Sequence, residues 1–291
     1  MTAVYWYCAL GIIGTVLTVF ILIKKKNYYE LLTFFLFAMM VAFIGEMIVL
    51  LFLNGYAYYP GVFKDYYAEN LFGHIIPNAT LWPATALLVA AYSLRYRWIV
   101  LITVIYTLLD ILYVRLGIYQ HNWWRTWMTS AAIFSYCVFM KAWYAQLKNK
   151  RRTFLRFITL WFALLIIMKL PVTALLLTGM QHAYVGWFEN TYRDSGVFSV
   201  FYNAAVSLGC AFFICVLKKW YWKLVPFLLY FTGDAVLTGL GLLFFSGGWN
   251  IYYFMLTRPL CLILFIALEN KYPYKLQNKY PEKNSFKPPV V

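Results

Sequence analysis

Charge is scarce in this chain. Only 12% of its 291 residues are Asp, Glu, Lys or Arg, against 64% hydrophobic and 22% aromatic. A soluble domain carries about a quarter charged residues. A single globular core cannot hide this much apolar surface, so lipid is the solvent the composition calls for. Catalytic signatures are also missing: there is no Walker A motif, GxSxG, HExxH or dinucleotide fingerprint. That argues against an ordinary hydrolase or dehydrogenase, and no cofactor or metal is expected. The cysteines Cys8, Cys137, Cys210, Cys215 and Cys261 are odd in number, lie in apolar runs and form no CxxC pair. They read as small packing residues, not as a disulfide framework or zinc site. Before Lys24 there is neither a positive n-region nor a small-residue cleavage site, so Met1–Ile23 reads as a retained first helix rather than a signal peptide.

What is present is a series of apolar runs of about 20 residues, the length that crosses a bilayer as a helix. They are Tyr5–Ile23, Leu31–Asn54, Phe72–Ser93, Trp98–Gly117, Trp127–Leu147, Phe154–Gly179, Val197–Leu217, Leu224–Ser246 and Ile251–Leu268. The expected fold is therefore all-α and polytopic, with nine transmembrane helices. Pro77, Asn78 and Pro83 interrupt the third run.

The net charge of +15 is a topology signal, because the cations cap apolar runs rather than forming the basic face that nucleic-acid binding requires. Lys24–Lys26, Arg95, Arg97, Lys141, Lys148–Arg152, Arg156, Lys218, Lys219, Lys223 and the tail lysines share one side. The alternate connections carry only Lys64, Arg115, Arg125 and Arg193. The positive-inside rule then places the N-terminus outside and the C-terminus in the cytoplasm. The tail, residues 271–291, is basic and interrupted by Pro273, Pro281 and Pro288. It reads either as a segment resting on anionic lipid headgroups or as simple topology enforcement.

Adding 124 to a position in the first half lands on a similar residue: Lys24 and Lys148, Gly55 and Gly179, Trp98 and Trp222, Asp110 and Asp234, Gly117 and Gly241. Four helices per unit preserve orientation, so the spacing predicts parallel repeats about an axis along the membrane normal. The units are residues 1–124 and 125–246, followed by a ninth helix over 247–270.

Five charges fall inside spans: Glu46, Asp110, Lys169, Asp234 and Arg258. Such residues normally face a partner or a wet cavity, since each costs about 2.5–3.5 kcal/mol at the bilayer centre. At 1.5 Å per residue, Asp110 and Asp234 lie roughly 18 Å from the cytoplasmic helix ends, and Glu46 and Lys169 about 22 Å. All four are thus expected at or just past the midplane, converging near the repeat axis. Lys169 precedes Leu170-Pro171, and a proline there frees a carbonyl one turn earlier, as in the broken helices of transporters. Asn78 and Asn203, one residue off the repeat, read first as interhelical hydrogen-bonding groups.

His74, His121 and His182 fall in or beside the outward connections and read as solvated or interfacial. Tyr56-Ala57-Tyr58-Tyr59 and Trp123-Trp124 suit an outer aromatic belt.

The stretches Leu71-Phe72-Gly73 through Pro77, and Leu109-Asp110-Ile111 through Gly117-Ile118-Tyr119-Gln120-His121-Asn122-Trp123-Trp124, carry a resemblance. Over about the first 145 residues the chain resembles a family of uncharacterised small multi-pass membrane proteins of spore-forming Firmicutes. It departs from that family where Asp110 replaces an expected glutamate. The resemblance implies a bacterial cell membrane and no particular activity.

Two functions are compatible with these residues. One is binding or translocation of a small solute or ion, centred on Asp110 and Asp234 with Lys169 and Glu46 as charge partners and Arg258 as a further candidate. The other is a structural or assembly role beside another membrane protein of the envelope, linked to sporulation, in which the charges pair with each other, for example Lys169 with Glu46. An intramembrane enzyme has no carboxylate pair or metal motif to recommend it.

Overall fold

A computed structural model describes residues 3–148, 152–217 and 219–273. The expected lipid-resting tail lies, from residue 274 onward, outside the described residues. The helices are α1 (Val4–Lys25), α2 (Tyr28–Glu46, continued by a π-helical turn Met47–Phe52), α3 (Tyr66–Ala79), α4 (Leu81–Ala91), α5 (Tyr96–Arg115), α6 (Thr126–Leu147), α7 (Thr153–Leu177), α8 (Thr191–Cys215), α9 (Val225–Gly239, entered through a 3-10 turn Trp220–Leu224) and α10 (Ile251–Lys271). The chain is an all-helical membrane protein. Among the described residues six helices are long and apolar enough to cross a bilayer by themselves: α1, α2 with its π-turn, α5, α7, α8 and α10.

Of the other three expected spans, Trp127–Leu147 is the single helix α6, whereas Leu224–Ser246 is α-helical only from Val225 to Gly239 and ends in a short strand at Leu243–Phe245. Phe72–Ser93 is not one helix: α3 ends at Ala79 and α4 begins at Leu81, with Thr80 at φ −128° between them. Pro77 and Pro83 flank this break, and Pro83 is tolerated in the first turn of α4, where no intrahelical N–H bond is lost. The break expected at Pro171 does not occur, for α7 continues through it to Leu177. An irregularity appears instead in α2, where the π-helical turn begins directly after Glu46. Sequence spacing carries no sign of it.

Position in the bundle follows burial. Only 17% of the most apolar stretch of α1 and 22% of that of α5 is covered by protein, against 56% for α2 and for α7. α2 and α7 therefore form the centre, while Ile12, Val16 and Ile23 of α1 and Val100, Val104 and Leu108 of α5 are exposed, as lipid-facing side chains are. One apolar cluster joins Phe34, Phe37, Leu87, Tyr136 and Met140 of the first half; another joins Leu164, Cys210, Tyr230, Leu262 and Phe265 of the second. The α1–α2 connection at the lysine-bearing end turns through Lys26, a non-glycine residue at φ 58° whose N–H closes on the Leu22 carbonyl.

The opposite end carries four three-residue strands. β1 (Tyr56–Tyr58) pairs antiparallel with β2 (Tyr119–His121), and β3 (Gln181–Ala183) with β4 (Leu243–Phe245). After β1 the chain reverses at Gly61 (φ +79°), and after β3 at Gly186 (φ +81°), a backbone conformation that glycine adopts without steric cost. Each reversal wraps a buried carboxylate. Glu69 accepts the N–H groups of Gly61, Val62 and Phe63. Asp194, with no exposure, accepts those of Val185 (2.6 Å), Gly186 (3.2 Å), Trp187 (2.8 Å) and Phe188 (3.1 Å). The N-cap residues of the following helices, Asp65 of α3 and Asn190 of α8, join through Asn190 Nδ2 and Asp65 Oδ2 at 2.8 Å.

Removing Asp194 strips four partly buried N–H groups of their shared acceptor. Asp194→Ala is expected to destabilise the chain by on the order of 3 kcal/mol and to open residues 184–190 to protease. Limited proteolysis alongside thermal unfolding in detergent checks this.

Candidate functional site

A cavity of about 420 Å³ lies inside the first half, between α1, α2, the α3–α4 break, α5 and α6. That volume falls within the range of small-molecule sites, about 300–1,000 Å³. Its walls include seven tyrosines, Tyr7, Tyr56, Tyr58, Tyr106, Tyr113, Tyr119 and Tyr136, with Trp82 and Trp124. Glu46, Asp110 and Asn78 supply its strongest polar groups, and among the described residues no lysine or arginine contributes. β1 and β2 close one end with Tyr56, Tyr58 and Tyr119, whose rings pack at 5.0–5.6 Å.

Glu46, at the end of the regular part of α2, accepts hydrogen bonds from Tyr56 Oη (2.9 Å) and Tyr58 Oη (3.0 Å). Burial, and secondarily the Glu46 carboxylate, hold both phenols well above the usual tyrosine range, so they remain donors at neutral pH. Asp110, in the last turns of α5, accepts from Thr126 Oγ1 (2.7 Å) and Thr129 Oγ1 (2.9 Å) and lies 3.2 Å from His121 Nε2. Trp124 Nε1 donates to Thr129 Oγ1 at 2.8 Å and so fixes that hydroxyl. Both acids are 7% exposed. Both are reached by residues of the strand-bearing end, which puts them on that side of the bundle's middle.

The five charges do not converge. Asp234, 1% exposed, forms a two-pronged ion pair with Arg258: Nε to Oδ2 at 3.0 Å and Nη2 to Oδ1 at 3.3 Å. Tyr202 Oη donates to the same carboxylate at 2.8 Å. The second Nη of Arg258 donates to Asn203 Oδ1 at 2.9 Å and to the Met168 carbonyl at 3.4 Å. The guanidinium lies 4.6 Å from the Tyr230 ring centre and 4.5 Å from that of Phe254. Gly233 permits this arrangement, since a Cβ there would collide with Tyr202 Oη.

Lys169 does not pair with Glu46. Its ammonium donates to Ser199 Oγ at 3.3 Å, and no carboxylate among the described residues comes within ion-pair distance of it. It borders a separate void of about 10 Å³ beside His74 and Thr173, space for a single water. Asn78 and Asn203 each turn Nδ2 back to a carbonyl of their own helix, His74 at 2.8 Å and Ser199 at 2.7 Å; the Asn203 oxygen accepts from Arg258, and the Asn78 side chain also interacts with Glu46.

Several residues read from sequence as interfacial belong to the interior. Tyr56 and Tyr58 bind Glu46, His121 meets Asp110, and His74 is buried against Phe43. His182 stacks on Phe244. Among the described residues no group of three or more His, Cys, Asp or Glu is placed to hold a metal. The period-two pattern in Tyr56-Ala57-Tyr58 is the one sequence signal of a strand directing two tyrosines the same way. Comparison with protein-family models, curated proteins and solved structures finds no match for this chain.

Proposed function

We propose that the chain binds or translocates a small solute through the first-half cavity, as a nine-span protein of a bacterial cell membrane with its N-terminus outside. The observation that carries this reading is an aromatic-walled cavity of about 420 Å³ holding two buried carboxylates and no lysine or arginine. A purely structural arrangement would fill such a space or neutralise its acids, as the second half does with Arg258. For Asp234 and Arg258 themselves the structural role is the better reading, because every strong polar group in that pair has a partner.

The proposed parallel duplication is supported by boundaries that recur 124 or 125 residues later. Tyr28, Tyr66, Tyr96 and Thr126 open helical segments in the first half, as Thr153, Thr191, Trp220 and Ile251 do in the second. The strand pairs recur with them. On this alignment α10 corresponds to α6, and the helix outside the repeat is α1 rather than the last.

Gly45 faces the cavity, and a Cβ added there would meet nothing within 4 Å. Gly45→Cys is therefore expected to fold and to react with methyl methanethiosulfonate, while the native Cys137, with no exposure, stays inert. A residue-45 thiol as unreactive as Cys137 in a folded chain would sink the solute-site reading. For topology, a cysteine at Lys64 should react with an impermeant reagent on intact cells and one at Arg95 should not; the reverse pattern inverts the orientation.

A further inference from the structure

The second half contains a bound cation of its own, the guanidinium of Arg258. Its partners can be traced back into the first half. Asp234 corresponds to Asp110 and Tyr230 to Tyr106, each 124 residues earlier; Asn203 corresponds to Asn78, 125 earlier. Met168, whose carbonyl also accepts from Arg258, corresponds to Ile44, next to Gly45. Asp110, Tyr106, Asn78 and Gly45 all line the first-half cavity. Three of the groups around the guanidinium in one half thus have like counterparts lining open space in the other, while Tyr202 and Phe254 are answered 125 residues earlier by Pro77 and Thr129 of the same wall.

We propose that this cavity is a site for an organic cation, a guanidinium or ammonium head on a small aromatic or apolar body, held as the second half holds Arg258. The inference rests on the reading of the cavity as a solute site and names the class of solute. The chemistry of the walls agrees with it. Asp110 accepts from Thr126, Thr129 and His121, and Glu46 from Tyr56, Tyr58 and the Asn78 side chain, so each carboxylate, having about four lone-pair positions, keeps acceptor capacity for one further donor. Tyrosine and tryptophan faces attract cations most strongly where water is excluded. Trp82 sits edge-on to both Tyr106 (5.6 Å) and Tyr136 (5.2 Å), an aromatic wall on which a ligand's apolar body can lie. An anion would meet two buried carboxylates with no cation to offset them, apart from any charge on His121.

The test compares two probes of nearly identical shape, benzamidinium and neutral benzamide, by equilibrium dialysis against the purified full-length chain in detergent, with detergent-only controls. Benzamidinium should bind saturably at one site per chain and at least about 10-fold more tightly than benzamide, a difference of about 1.4 kcal/mol. Asp110→Asn should remove most of that preference, and Gly45→Leu should abolish saturable binding of both probes. Equal binding of the two probes by the natural chain, lost in Gly45→Leu, would overturn the cation assignment and leave the solute site standing. If neither probe binds saturably, or Gly45→Leu changes nothing, the solute-site reading itself falls. The comparison of probes on the unaltered chain needs no variant to fold.

Discussion

Arg258→Met should destabilise the protein by about 3–5 kcal/mol, the cost of leaving a buried charge without its partner. The guanidinium satisfies both oxygens of Asp234, the Asn203 amide oxygen and a backbone carbonyl from a position 4% exposed. Methionine fills much of the same space between Tyr230 and Phe254 and replaces none of those bonds. The double variant Arg258→Met, Asp234→Leu should recover most of the loss, because exchanging a buried ion pair for apolar residues is often near neutral. Thermal unfolding of the four members of this cycle checks both statements. A double variant no better than the single one would mean that the pair does more than neutralise itself.

The second large effect is expected at Gly14. α1 crosses the α3–α4 break there so closely that a Cβ on residue 14 would lie 2.5 Å from Leu81 N, 2.6 Å from the Thr80 carbonyl carbon and 2.8 Å from Leu81 Cα. These are backbone atoms, and no rotamer change relieves the clash. Gly14→Ala should cost about 1–3 kcal/mol, as overpacking of a tight core does, and Gly14→Val more. The same step moves Leu81 and Trp82, two residues of the cavity wall, so loss of solute binding should accompany it. Gly45→Leu on α2 is the contrasting case: the side chain enters open space and stability should hold. The two glycines therefore separate close helix packing from an open cavity. Stability and benzamidinium binding measured on both variants would expose an exchange of their roles.

Much of the fold is legible in the sequence because lipid segregates residues so strongly. Lys24–Lys26, Arg95 and Arg97 mark helix ends, and the 124-residue offset is the basis for proposing Asp110 and Asp234 as matched positions. Azimuth around each helix is not legible. In a soluble helix the apolar stripe identifies the buried face, but α2 and α7 are apolar all round. Spacing therefore gives the depth of Glu46 and Lys169 and wrongly brings the two together. Lys169 turns to Ser199, and Glu46 turns to two tyrosines from a three-residue strand. Such a strand leaves only one period-two repeat, Tyr56-Ala57-Tyr58, and aromatic residues at a span's end look like a headgroup belt whether they face lipid or the interior. Its place inside an apolar run singles out Arg258 but does not choose its partner, since spacing gives Asp110 and Asp234 the same depth. The structure separates them: one acid meets an arginine, the other two threonines and a histidine.

Matched positions in the two halves are thus proposed to hold a resident guanidinium in one and to receive a cation in the other. Crystals of the full chain grown with 4-iodobenzylammonium test this most directly, because the anomalous signal of iodine locates the probe. The expected result is one dominant peak in the first-half cavity, beside Tyr106 and Trp82, with the ammonium directed at Asp110 or Glu46. A peak in the second half, peaks confined to the outer surface, or a first-half cavity free of the probe at saturating concentration would contradict it.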